Sequence, residues 1–149
     1  MSLSSLDDLV DRFSTQTLAK DEWTHAAHLS VGAWHVHKFG PDEAMSRLRR
    51  GIRALNDRHG TPNTDSSGYH ETITVAYVRL MDQFLSAFET DRSIEERVAI
   101  LVKGPLSNRG LLLRFWSRDL LMSPSARANW TPPDLMPLAL PHDAIPSVV

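Results

Sequence analysis

Cysteine is absent from the 149 residues, and that absence removes disulfides, thiolate zinc sites and cysteine nucleophiles at once. Any metal must then be held by histidine, carboxylate or water. A basic surplus is also missing: 16 Lys and Arg stand against 18 Asp and Glu, for a formal net charge of −2. Binding a phosphate backbone needs such a surplus, so nucleic acid is not the expected partner. No stretch approaches the roughly 20 apolar residues of a membrane span. The opening MSLSSLDDLVDRF has neither the basic start nor the apolar run of a signal peptide. A cytoplasmic protein that leaves membranes alone is the expectation. There is no Gly-rich phosphate loop, no Gly-x-Ser-x-Gly elbow and no interleaved aromatic and basic surface for single strands. Repeats and low-complexity linkers are lacking too. What is present, 42% hydrophobic and 23% charged residues, is ordinary for one domain over 1–149 that buries its own core.

Strand signals are scarce and helical ones recur. Leu3, Leu6, Leu9, Val10 and Phe13 follow helical spacing and predict a helix from about Ser5 to Ser14. A second runs from about Lys20 to Phe39, where Gly40 closes it and Pro41 opens a third that continues to Arg58. Ala44, Met45, Leu48, Ile52 and Leu55 form the buried face of that third helix. A fourth covers about Gly68 to Phe88, with Ile73, Tyr77, Leu80, Met81, Phe84 and Phe88 inward. Ser93 and Glu96 read as a capping box for a fifth. A further helix is expected over about Asn108 to Leu121, and a short one opened by Ser123 and Pro124. From Trp130 onward five prolines rule out helix interiors. That segment reads as an extended tail anchored by Trp130, Leu135 and Leu138. The fold class expected is an all-α bundle with a Pro-rich segment, 130–149, laid over it.

The second helix is unusual. WTHAAHLSVGAWHVH, residues 23–37, carries no Asp, Glu, Lys or Arg but four histidines. A surface helix would show a charged stripe over four turns, so this one is expected at the centre. His28 and His35 are two turns apart, roughly 10 Å, too far to share an ion. His25 and His28 can converge, and Gly32 leaves room beside them for a ligand or a neighbouring helix. For His35 and His37 the expectation is a plain hydrogen bond or solvent exposure.

SSGYHETIT, residues 66–74, looks like half of a zinc-protease signature, but Thr74 stands where a second histidine is required. Ser66 or Ser67 can cap this helix, and Glu71 suits its first turn. His70 falls on the inward arc, at a helix N-terminus that favours a neutral imidazole. If the second and fourth helices run parallel, with the third returning between them, His25, His28, His70 and Glu71 come to one end of the bundle. Thr74 and Tyr69 stand beside them as ligand contacts or pocket walls. In SRLRRGIR, Arg49 and Arg53 lie four apart and lead towards the same loop, where a guanidinium could clamp a carboxylate or phosphate.

WTHAAHL, GYHETIT and SPSARANWTPPDLMPL together resemble a family of small bacterial proteins with the blocks Trp-Thr-His-x-x-His-Leu, Gly-Tyr-His-Glu-Thr-x-Thr and Trp-x-x-Pro-Asp-Leu. The resemblance spans nearly the whole chain and implies a shared fold and shared site residues at His25, His28, His70 and Glu71. It carries no assigned activity. A looser similarity is to DinB-type bundles, which hold a metal with three histidines, although no second histidine lies four residues from His70 here.

Three readings stay open. The first is a mononuclear site for a divalent metal, zinc or iron/manganese. His25, His28 and His70 would be its ligands and Glu71 a ligand or general base, serving a hydrolase or transferase. The second is a metal-free module in which Arg49 or Arg53 helps hold a small anion. The third is a structural or interaction protein whose histidines are satisfied in the core. Substrate and oligomeric state are not legible.

Overall fold

The computed structural model describes residues 3–88 and 91–145. Six α-helices carry the chain: α1 Leu3–Ser14, α2 His25–Arg58, α3 Glu71–Ala87, α4 Ile94–Leu101, α5 Arg118–Leu121 and α6 Pro124–Ala128. Short 3₁₀ turns at Lys20–Glu22, Pro105–Ser107, Leu111–Arg114 and His142–Ala144 connect them, and no strand occurs among the described residues. The all-α expectation holds.

The central feature is a fold-back inside α2. Gly40 has φ 79° and ψ 166°, a region in which only glycine is at ease. Pro41 follows it and supplies no backbone donor. The two arms, 25–39 and 41–58, therefore return on each other: His28 and Gly32 of the first line one cleft with Leu48 and Ile52 of the second. Helix α3 then climbs beside the first arm, because His25 meets Tyr77 and Gly32 faces Met81. The up-down-up path with parallel outer helices is the one expected.

The core is continuous across these layers. Leu6, Val10 and Phe13 of α1 are buried, and Phe13 packs so closely on Gly51 that a Cβ there would lie 2.5 Å from its ring. From α2 come Leu29, Val31, Leu48 and Leu55; from α3, Ala76, Leu80 and Phe84. Thr24 caps α2, accepting the Ala27 N–H at 3.2 Å. The second helix thus starts later than expected, since Lys20–Glu22 is a separate 3₁₀ turn. Ser93 caps α4 by accepting the Glu96 N–H at 3.1 Å. The Glu96 carboxylate takes the Ser93 hydroxyl, at 3.4 Å, in place of the backbone N–H of a reciprocal box.

Two expectations fail in the last third. The helix over Asn108 to Leu121 is broken into Leu111–Arg114 and α5. The break lies at Ser117, whose N–H and hydroxyl both donate to the Asp134 carboxylate at 2.7 Å while its oxygen accepts the Leu120 N–H. Side-chain bonds of this kind offer the backbone an alternative to continuing a helix. Asp134 is therefore committed to Ser117, and no ion pair joins it to Arg118 or Arg127. The tail is extended and Trp130 is anchored, edge-on to the fully buried Trp116 at 5.8 Å and beneath the Arg79 guanidinium at 4.2 Å. Leu138 also packs on the core. Leu135 does not: its side chain is 58% exposed, and only its N–H is held, by the Phe115 carbonyl at 2.9 Å.

Because the fold-back depends on a left-handed backbone, Gly40→Ala is expected to cost about 1–3 kcal/mol. Urea unfolding of the variant beside the parent measures it; an unchanged midpoint would show that the corner does not depend on glycine.

Candidate functional site

His70 is the N-cap of α3. Its backbone is extended, with φ −131° and ψ 109°, and its Nδ1 accepts the Ile73 N–H at 3.2 Å. Nε2–H then donates to the Leu121 carbonyl at 2.6 Å. Both ring nitrogens are used, and the pairing fixes the neutral Nε2–H tautomer. The cap expected from Ser66 or Ser67 falls to the histidine itself, four or three residues later. Burial lowers the His70 pKa, helped by the Arg127 charge and opposed by the Leu121 carbonyl.

The neighbours of His70 are equally committed. The Glu71 carboxylate receives a two-pronged bond from Arg49, Nε at 3.0 Å and Nη2 at 2.7 Å, and a third from the Tyr69 hydroxyl at 2.6 Å. Partial burial works to raise the Glu71 pKa, but these bonds and the Arg49 charge outweigh it and hold the carboxyl below its usual value. Burial and the bond to Glu71 push the Tyr69 phenol up. A carboxylate so neutralised is a poor base, and the Nε–Nη2 fork of Arg49 is spent on it. Thr74 donates to the His70 carbonyl at 2.8 Å. Thr72, fully buried, donates towards the Ala126 carbonyl at 2.6 Å or that of Asn129 at 2.9 Å, and accepts the Thr131 N–H at 3.0 Å. GYHETIT ties α3 to the second arm of α2, to α5 and to the chain around α6.

His25 and His28 sit elsewhere. They line a cleft of about 100 Å³ between the two arms of α2 and α3, together with Trp23, Thr74, Tyr77 and an apolar wall of Leu29, Ile52 and Met81. The parallel course of the helices brings the two motifs to one end as expected, but out of register. His25 stands opposite Tyr77, seven residues beyond His70, or roughly 10 Å along α3. The four residues His25, His28, His70 and Glu71 are not brought together, and no group of three His, Asp or Glu poised for a metal occurs among the described residues. Arg53 is also apart from this cleft; its guanidinium lies 5.0 Å over the Tyr69 ring.

Within the cleft the polar groups are only partly committed. His25 donates Nε2–H to the Leu106 carbonyl at 2.8 Å, leaving Nδ1 without a protein partner among the described residues. His28 has none for either nitrogen and stacks on Trp23, ring centroids 3.9 Å apart. The imidazole stands deep in the protein mass yet is exposed through the cleft mouth, so water still reaches it. Desolvation lowers its pKa, with smaller contributions from the neighbouring His25 and the Arg109 charge, though less than in a sealed site. The Tyr77 hydroxyl is buried with no hydrogen-bond partner. Burial pushes its phenol up to about 12, against the Arg109 charge.

The sequence places Tyr77 on the inward face of α3 but gives neither it nor Trp23 a part in the site. One signal was readable: a tyrosine, with a hydroxyl to satisfy, in a face otherwise made of Ile, Leu, Met and Phe. The other histidines behave as expected. His35 is buried and donates Nδ1–H to the Val31 carbonyl at 2.8 Å; His37 is exposed and accepts from Arg97 at 3.3 Å.

His70→Ala loses a cap and a tie to α5 together, and is expected to cost about 1–3 kcal/mol in unfolding measurements. The native state keeps His70 neutral, whereas the unfolded chain protonates it near pH 6.5. Its stabilisation is complete above that pH and declines as the pH falls towards the lowered native value. The variant should therefore show a shallower loss of stability below about pH 6.5; parallel acid limbs would contradict the assignment.

Comparison with known protein families, with curated proteins and with solved structures finds no match for this chain.

Proposed function

We propose that this protein binds a small organic ligand in the cleft between the two arms of α2 and α3. The ligand has a short apolar body and an anionic or other hydrogen-bond-accepting head. The Tyr77 hydroxyl carries this reading: it is buried and unpartnered, on a side chain that lines a mostly apolar recess beside His25, His28 and Thr74. Buried polar groups are paired in the great majority of cases, and stranding one costs about 1–3 kcal/mol. An acceptor atom on a ligand offsets that cost.

The surroundings support the same chemistry. Leu29, Leu48, Ile52, Ile73 and Met81 line the cleft and reward an apolar body. His28 has free nitrogens, and the Arg109 charge acts on both His28 and Tyr77, so the polar end favours an anion. Arg49 and Arg53, expected in this role from the sequence, do not line this cleft. At about 100 Å³ the recess is smaller than the ~150 Å³ cavity that encloses a benzene. It therefore takes one end of a ligand while the remainder lies in the mouth.

A divalent ion is the competing occupant. His25 Nδ1 and His28 offer it two imidazoles, one short of the three protein ligands of a catalytic zinc site, with His70 and Glu71 spent elsewhere. The donor set fits an organic ligand better.

Benzoate and butyrate, titrated by calorimetry and by melting shift, test the reading. The parent should bind at least one of them and Tyr77→Phe should bind it about tenfold more weakly. The unliganded Tyr77→Phe variant should be as stable as the parent or more so, because a stranded hydroxyl has been removed. A destabilised Tyr77→Phe argues for a structural hydroxyl. Zinc uptake lost in both His25→Ala and His28→Ala, with neither acid bound, would install the metal instead.

A further inference from the structure

A second cavity, of about 290 Å³, opens on the other side of the α3 N-terminus. Arg53, Asn63, Thr64, Asp65, Tyr69 and Arg127 line it. Two guanidiniums reach it from separate elements, the second arm of α2 and α6, and neither belongs to any ion pair among the described residues. Both forks are held in place. Arg53 lies 5.0 Å over the Tyr69 ring. Arg127 donates Nη1–H to the Gly68 carbonyl at 2.8 Å, while its Nε is buried with no partner.

Elsewhere in the molecule arginines near carboxylates pair with them, as Arg49 does with Glu71 and Arg47 with Glu43. Here the nearest lining carboxylate, Asp65, is exposed and beyond ion-pair reach of both. The wall of the cavity is otherwise neutral: Asn63 is consumed in holding the loop, accepting the Tyr69 N–H at 3.0 Å and donating to the Arg53 carbonyl at 3.3 Å. The Tyr69 hydroxyl is turned to Glu71. Two guanidiniums outside any ion pair among the described residues thus line one space, with the exposed Asp65 as its lining carboxylate.

We infer that this cavity is an anion site for a phosphomonoester, its oxyanion held between Arg53 and Arg127. Guanidiniums approaching from two elements suit a tetrahedral group with several acceptor oxygens better than a planar carboxylate, which one fork already satisfies. Asp65, at the rim, faces the part of the ligand beyond the phosphate and accepts from a hydroxyl there. The site shares no arginine with the cleft of His28 and Tyr77, and it stands or falls independently of that cleft.

Inorganic phosphate is the probe, titrated by calorimetry at constant ionic strength with acetate as the comparison. The parent should bind phosphate and bind acetate at least tenfold more weakly. Arg53 is exposed, so Arg53→Ala should fold normally, and it should weaken phosphate by about ten- to a hundredfold. Asp65→Asn should act oppositely and tighten phosphate, since a like charge leaves the rim. Equal phosphate affinity in the parent and Arg53→Ala overturns the proposal, as does an Asp65→Asn variant that binds no more tightly. Acetate binding as strong as phosphate overturns the assignment of a phosphate group.

Discussion

The free N–H groups at the start of α3 are the constraint around which the bundle is arranged. A buried helix end must find acceptors for them. This chain uses an imidazole, whose second nitrogen can still donate to another element. Serine at the same position would cap α3 but leave the Leu121 carbonyl to be satisfied otherwise. Histidine does both with one side chain. Glu71 and Thr72 follow directly, each turned to a different neighbour, and the α3 terminus becomes the point at which α2, α5 and the tail are fixed relative to one another.

Much of the architecture was legible because it rests on local physics. The Gly-Pro corner, the uncharged central helix and the apolar face of α3 are written in composition and spacing, and the parallel outer helices follow from a corner and a loop. The site was legible only by half. WTHAAH lies along a recess, whereas GYHETIT gives that recess only Ile73 and Thr74 and spends the rest on a joint. Spacing assigns residues to helix faces and says nothing about the axial register between helices; a shift of two turns separates His70 from His25. Nor does spacing reveal commitment: that Arg49 neutralises Glu71, or that Leu121 claims His70, depends on segments far along the chain. Ser117 illustrates the same limit, since its partner Asp134 lies seventeen residues on.

The two recesses differ in the kind of chemistry left unsatisfied. Beside His28 the deficit is a hydroxyl and an imidazole in apolar surroundings, which select for shape and one polar contact. Beside Arg127 it is charge, in a space open to water, which selects for an anion with little regard to body. The Tyr69 side chain stands near the boundary: its ring faces the guanidinium of Arg53 and its hydroxyl serves the Glu71 pair. Both recesses therefore flank the same rigid joint and inherit its order.

The bonds that close the C-terminal segment onto α3 join residues 51, 54 and 57 positions apart. The entropy of closing so long a loop grows only with the logarithm of its length, about 0.6 kcal/mol for each doubling. The joint is thus nearly indifferent to how many residues lie between its halves. A longer or shorter stretch between α3 and α4 would leave the His70 and Thr72 ties, and the recesses beside them, with the same geometry.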